Sequence, residues 1–501
     1  MNAPAPASAP STSDSPRTDR LSARDRSVIT LLLVSAFVVI LNETILSVAL
    51  PRIMADLRIP ASTAQWLATA FMLTMAVVIP VTGFLLQRLT TRAVFTTAMT
   101  LFAVGTAVCA IAPSFVPLLM GRIVQASGTA IMMPLLMTTV MQLVPPSRRG
   151  RVMGNISIVI SVAPAVGPTI SGLVLAVAPW RFVFVLVLPI AIAALLLGVS
   201  RIQNVGEHTE AGVDLLSVVL SGIGFGTLVY GLSGLGGTHG AGDGAAATDP
   251  SATTYALLGV GVATLALFAV RQLRLQREDR ALLDLRTFTS RNFTLSVALM
   301  VLMMSAMFGM IVLLPIYLQT VLGMATLDVG LMLLPGGLLM GLAGPVVGRL
   351  YDRLGPRPLL VPGILAVSGG MLVLSAASTS TPEWHMLAGH LLISVGLACV
   401  FTPLFTNALG SLRPQLVSHG SAIVGTVQQV AGAAGTAVMV AIMSARAVAV
   451  QGAGGTAAAG VAAGTGRAFL ICALLALGAA VVALFVTRSP EEADAAHGAH
   501  G

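Results

Sequence analysis

The stretch Pro80-Val81-Thr82-Gly83-Phe84-Leu85-Leu86-Gln87-Arg88-Leu89-Thr90-Thr91-Arg92 recurs as Pro345-Val346-Val347-Gly348-Arg349-Leu350-Tyr351-Asp352-Arg353-Leu354-Gly355-Pro356-Arg357, with its Pro, Gly and Arg-Leu-x-x-Arg positions repeated at an offset of 265 residues. Two more matches keep nearly that offset. Val48-Ala49-Leu50-Pro51 returns as Val312-Leu313-Leu314-Pro315, and Gly121-Arg122 with Gly128 and Ala130 returns as Gly389-His390 with Gly396 and Ala398. Three matches in one order at one spacing mean that the chain holds two copies of one unit.

Around these anchors the chain is oily. Of 501 residues, 56% are hydrophobic and 9% are charged. A soluble chain is usually about a quarter charged, so a soluble enzyme, a disordered protein and a nucleic-acid-binding domain fit poorly. Apolar runs fall near 29–50, 65–87, 93–112, 117–143, 151–176, 182–200, 213–235, 254–270, 292–322, 328–348, 358–378, 385–409, 419–443 and 467–487. Each is long enough for a bilayer core, which needs ~20 apolar residues per helix. The repeat makes spans 1–6 and 9–14 the copies, with spans 7 and 8 inserted. The predicted units are a disordered cytoplasmic tail 1–28, a six-helix bundle 29–200, a linker with two inserted helices 201–291, a second bundle 292–488 and a tail 489–501.

All 27 basic residues are arginines. The lack of Lys removes a P-loop and a Schiff-base enzyme. Fourteen spans place 21 arginines in the tails and even-numbered connections, and five (Arg52, Arg58, Arg181, Arg446, Arg467) on the other side. The positive-inside rule therefore makes both termini cytoplasmic. The Gly/Ala-rich loops 236–253 and 451–466 fall outside. Cys109, Cys399 and Cys472 sit singly in apolar runs, so neither a disulfide framework nor a metal site is expected.

Two parallel six-helix halves are the plan of many secondary transporters, and the motifs carry a closer likeness. The repeated loops, Gly83 to Arg92 and Gly348 to Arg357, resemble the conserved cytoplasmic-loop motif of the major facilitator superfamily. Leu119-Met120-Gly121-Arg122-Ile123-Val124-Gln125 resembles its fourth-span motif, and Pro164-Ala165-Val166-Gly167-Pro168-Thr169-Ile170-Ser171-Gly172 its fifth-span antiporter motif. Leu41-Asn42-Glu43-Thr44 onward to Pro51 resembles the first-span motif of the fourteen-span drug:proton antiporters of the EmrB/QacA type, with the Asn-Glu-Thr pattern of the lincomycin-type exporters. Departures are Gln87 for an Asp, Thr91 for a Gly, Asn42 for an Asp, and Val187 for an Asn.

The resemblance implies the major facilitator fold, an all-α membrane protein of two six-helix bundles plus two inserted helices. It implies a multi-pass protein of the inner membrane, not an enzyme. It would export hydrophobic or cationic small molecules, such as drugs or antibiotics, by alternating access. The proton gradient would serve as energy source, with no cofactor and no metal. Its partners would be a small-molecule substrate, protons and the lipid bilayer, with no nucleic acid, and the chain would act as a monomer. Export of an endogenous metabolite (an antibiotic, an amino acid or a siderophore) is the nearest alternative. A membrane subunit of an ATP-driven transporter is a further one, disfavoured by the two facilitator-like loops. A receptor or channel on the same scaffold is a third.

Glu43 is the one acid well inside a span. Hydrocarbon penalises a carboxylate by several kcal/mol, so such a residue faces a cavity, has a partner or holds a proton. One carboxyl that takes either a proton or a cationic substrate suffices for coupling; a polar anchor between helices is the bland reading. Arg122 is the one arginine deep in a span. Counted from the outer ends, Glu43 and Arg122 lie at similar depths of ~10 and ~8 Å. Asn42 and Gln125 are substrate contacts or interhelical hydrogen bonds. His390 takes the repeat position of Arg122 and Met307 that of Glu43; with Met303 they are candidate cavity lining or simple packing. Gly83, Arg88, Arg92, Gly348, Asp352, Arg353 and Arg357 read as cytoplasmic gating loops, the arginines latching the gate or holding headgroups. Pro164, Gly167, Pro168 and Gly172 would thin span five and permit close helix contact.

Overall fold

The computed structural model describes residues 22–202, 204, 214–235, 252–278 and 280–488. Among them the long elements are all helices: α1 (Ala23–Leu57), α2 (Ala61–Arg88), α3 (Thr91–Ile111), α4 (Phe115–Leu143), α5 (Arg149–Val177), α6 (Arg181–Arg201), α7 (Leu215–Leu235), α8 (Ala252–Leu275), α9 (Arg291–Thr320), α10 (Thr326–Leu354), α11 (Arg357–Ser375), α12 (Glu383–Gly410), α13 (Val417–Gly452) and α14 (Ala457–Ala483). All fourteen are long and apolar enough to cross a membrane. A helix suits that environment because it satisfies its own backbone polar groups.

Two ends differ from the sequence reading. Helix α1 starts inside the stretch read as tail, because Ser22 Oγ accepts from the Asp25 amide at 3.0 Å and caps it. The rest of that tail, the 489–501 tail and residues 236–251 lie outside the described residues. The expected loop 451–466 shrinks to residues 453–456. Alanine-rich residues 457–466 go helical, as alanine's propensity favours, and Thr456 caps them through the Ala459 amide at 3.2 Å.

The repeat is visible in the packing. In the first half α3 packs on α4, α1 on α5, α2 on α4 and α3 on α6. In the second half α11 packs on α12, α9 on α13, α10 on α12 and α11 on α14. The halves meet through α5 with α10 and α2 with α13. Helix α7 lies against α2 and α13 at once, so it straddles the seam, and α8 packs on α7. Trp66 of α2 stacks on Tyr230 of α7 at 5.7 Å. The outer faces of α6 to α8 expose Phe182, Leu196, Val219, Val262 and Leu267. Such an apolar belt is a liability in water and the normal lipid face in a bilayer.

Polar locks sit at the helix ends. Trp180 Nε1 and Arg181 Nη1 each donate to Asp56 Oδ2 at 2.9 Å, tying the outer ends of α1 and α6. Those bonds, Trp180's first, hold the Asp56 carboxyl below its usual range. At the inner end of the inserted pair, Arg271 Nε and Nη2 grip both Asp214 oxygens at 2.6 and 2.7 Å, and the Ser217 hydroxyl donates to the same carboxylate. Gln272 Nε2 donates to Ser217 Oγ at 2.8 Å, while Gln272 Oε1 accepts the amides of Leu282 and Leu283. The pair is thereby fixed to the segment that leads into α9.

The Arg271 hydrogen bonds, seconded by Ser217, hold the Asp214 carboxyl down at about 2. A lowered folded value means the stabilisation is complete above the unfolded value and vanishes as pH falls to the folded one. Thermal unfolding of the detergent-solubilised protein is therefore expected to lose stability between about pH 4 and pH 2, and Asp214→Asn removes that component.

Candidate functional site

Arg122 organises the interior of the first half. It is 1% exposed, on α4. Its Nη1 donates to Gln125 Oε1 at 2.6 Å, one helical turn on. Gln125 Nε2 donates to Thr106 Oγ1 of α3 at 2.7 Å, and Thr106 Oγ1 donates to the Phe102 carbonyl at 2.6 Å. The guanidinium carbon lies 4.1 Å from the centroid of the Phe71 ring of α2. A cation over an aromatic face gains about 0.5–2 kcal/mol, more when dry. Among the described residues Arg122 Nε has no hydrogen-bond partner.

Glu43, half-buried on α1, lies within electrostatic range of Arg122. Among the described residues no carboxylate comes within 4.0 Å of the Arg122 guanidinium. The acid and the base are thus neighbours held apart, with the base leaning on neutral groups. Beside Glu43, Asn42 is 1% exposed, and among the described residues neither of its amide atoms has a hydrogen-bond partner. A buried amide costs free energy unless it is bonded.

Helix α5 closes against this region at Gly167, where a Cβ would collide with Thr44 Oγ1 of α1. Pro164 and Pro168 lie in the same unbroken helix. Gly172 meets nothing within 4 Å and supports no close contact.

The second half is not a chemical copy. His390 is buried, with Nε2 on the Leu333 carbonyl of α10 at 3.1 Å and Nδ1 without a partner among the described residues. A Cβ on Gly336 of α10 would strike that ring, so His390 is wedged between two helices. Met303 is in the packed core and Met307 is half-buried beside it.

At the cytoplasmic ends the halves are drawn together. Asp352 Oδ1 and Oδ2 accept the Gly150 and Arg151 amides of α5 at 2.7 and 3.0 Å. An acid at a helix N-terminus is favoured by both the free amides and the helix dipole. Its repeat partner, Gln87, instead donates Nε2 to the Gln415 carbonyl at 2.9 Å. Gly83 abuts Ala422 of α13. Gly348 and Gly344 of α10 cross Gly150 and Gly154 of α5 so closely that a Cβ would collide with the facing backbone.

Two hydroxyl pairs, Thr138 with Ser421 at 2.9 Å and Ser157 with Thr402 at 2.6 Å, span the halves nearby. Arg92 is exposed and Arg88 is paired. Arg357 Nε donates to the Val486 carbonyl, and the Arg353 carbonyl accepts from Arg488. The Arg357 side chain and the Arg353 backbone thus hold residues 486–488. Together these contacts join the two halves at that end.

Phe71, Thr106 and the two hydroxyl pairs are absent from the sequence reading. A Phe or Thr in an apolar span looks like any other, and only the crossing of helices shows what it faces.

The profile of the Major Facilitator Superfamily matches residues 32–436. The chain is 40% identical over 421 residues to the MFS-type transporter YcnB of Bacillus subtilis, covering 84% of this chain and 87% of that one. It is 39% identical over 414 residues to the lincomycin resistance protein LmrB of Bacillus subtilis, covering 83% and 84%. In fold it is similar to the crystal structure of the human organic anion transporter MFSD10 (TETRAN), with a TM-score of 0.64 at 15% identity, covering 92% of this chain and all of that one.

Two outcomes are expected. Gln125→Leu strips the buried guanidinium of its acceptor and costs about 1.5–3 kcal/mol, read by thermal unfolding, while Thr106→Val, one bond further out, costs less. Gly348→Leu forces α5 and α10 apart. Ser157→Cys, protected from a cytoplasmic maleimide on its own, becomes labelled when combined with Gly348→Leu.

Proposed function

The chain belongs to the major facilitator superfamily, and from that premise we propose that it exports hydrophobic or cationic small molecules in exchange for protons. The observation that carries the reading is the arrangement of Glu43 and Arg122. A half-buried carboxyl lies within electrostatic range of a buried guanidinium but is not bonded to it. Glu43 holds either a proton or a cationic substrate, because one carboxyl cannot neutralise both. Arg122 sets the balance: an approaching cation favours the carboxylate, a receding one the acid. Glu43 sits on α1 and Arg122 on α4, so a shift of one of these helices against the other changes their separation.

Asn42, whose amide atoms have no partner among the described residues, supplies a donor and an acceptor for substrate next to that carboxyl. The cytoplasmic contacts form one end of the cycle. Their release, with closure at the outer ends, forms the other, and the two halves rock about the site between them. In the inner membrane of the cell the membrane potential contributes ~2.3 kcal/mol per charge per 100 mV, enough to drive export against a gradient. LmrB is named for lincomycin resistance, which makes lincomycin the first compound to try.

The test is efflux from everted membrane vesicles across a panel that includes lincomycin and lipophilic cations, with and without a pH gradient. Wild type is expected to move at least one compound only while the gradient stands. Glu43→Gln is expected to insert normally and to fall to the level of empty vesicles. Gradient-dependent efflux by Glu43→Gln with an unchanged pH profile overturns the coupling role.

A further inference from the structure

A cleft of about 840 Å³ opens at the cytoplasmic end, among the inner end of α2, the segment leading into α9, and the α12–α13 connection. It lies away from Glu43 and Arg122, and the transport reading does not use it. Its walls carry Arg286 and Arg291 from the stretch that leads into and opens α9, and Arg413 from the α12–α13 connection. One carboxylate, Asp284, is among the lining residues. That acid is already neutralised: Arg286 Nε and Nη2 donate to Asp284 Oδ2 at 2.8 and 2.6 Å, and the Arg286 amide donates to Oδ1 at 2.9 Å.

The other two cations are not so committed. Among the described residues the Arg413 side chain has no partner, and the Arg291 guanidinium, 5.9 Å from the Phe485 ring, has no ion pair. The 30-residue helix α9 also begins at this wall, and its Ser290 cap takes the Phe293 amide. The positive end of that helix therefore faces the same space as the two guanidinium groups. A concave site with two spare guanidinium forks, a helix N-terminus and a neutralised acid has the chemistry of an oxyanion receptor.

We propose that this cleft binds a phosphate group through Arg291 and Arg413, whether free phosphate or the headgroup of an anionic phospholipid. Guanidinium forks match phosphate oxygens two at a time. The cytoplasmic leaflet concentrates anionic headgroups beside the cleft. Gln87 lines the cleft from the first half and reaches the Gln415 carbonyl of the second. Arg291 and Arg413 both belong to the second half, so their grip on a phosphate does not depend on the seam between the halves.

The experiment uses the full-length purified protein in two arms. In the first, sodium phosphate is titrated into detergent-solubilised protein by calorimetry at constant ionic strength. In the second, nanodiscs of phosphatidylcholine alone or mixed with phosphatidylglycerol are analysed by native mass spectrometry for retained lipid. Wild type is expected to bind in at least one arm, and the double variant Arg291→Gln/Arg413→Gln to bind about tenfold more weakly or worse in that arm. Arg349→Gln, an exposed arginine outside the cleft, is expected to match wild type. The single variant Arg413→Lys, at an exposed position, guards against misfolding of the double variant and is expected to bind between the two. Binding in the first arm alone identifies free phosphate; retention of phosphatidylglycerol identifies the headgroup. No binding in either arm, or binding that the double variant leaves unchanged, overturns the proposal.

Discussion

A guanidinium sealed into a membrane span cannot shed its charge and cannot sit there unsupported. Removing an ion from water costs several kcal/mol even after relaxation. Arg122 meets that demand with a glutamine, an aromatic face and, at longer range, the Glu43 carboxyl. The support chain continues through Gln125 and Thr106 to the backbone of α3. Helices α1 to α4 thus all report to one charge. A shift in any of them alters how strongly Glu43 feels it, which is what a coupling device between protonation and conformation requires.

The duplicated architecture has been put to unequal use. The first half carries the acid and the base; the second carries Met307 and a wedged His390 at the corresponding places. The gates divide the labour in reverse. Asp352 of the second copy accepts two amides at the head of α5, whereas Gln87 of the first makes one neutral bond. A neutral bond is roughly half as strong as a charge-assisted one. The α5–α10 seam is therefore the firmer of the two cytoplasmic closures, and the α2–α13 seam the looser. Helix α7 lies along that looser seam, which gives the inserted pair a structural purpose as a brace. Its inner end is locked to the segment before α9 by Asp214, Arg271 and Gln272.

Much of this architecture was legible in one dimension. Span number follows from apolar run length, and orientation from the arginine count, because hydrocarbon and the translocation step read composition directly. The duplication survives as the Pro80 and Pro345 loops at a fixed offset. Helix ends were less legible: alanine-rich residues 457–466 look like a low-complexity loop until their own helix propensity is weighed.

The sequence by itself determined the solvent, the span count, the repeat and the isolation of Glu43 and Arg122 as intramembrane charges. Those properties depend on the kinds of residue present and on their spacing along one chain. Tertiary structure decided that the two charges are neighbours without being bonded, that Phe71 and Thr106 serve Arg122, and that Gly348 meets Gly150 while Gly172 meets nothing. Such facts depend on the rotation and crossing of helices far apart in sequence, and a rotation of ~100° per residue leaves no trace in the composition of either helix alone.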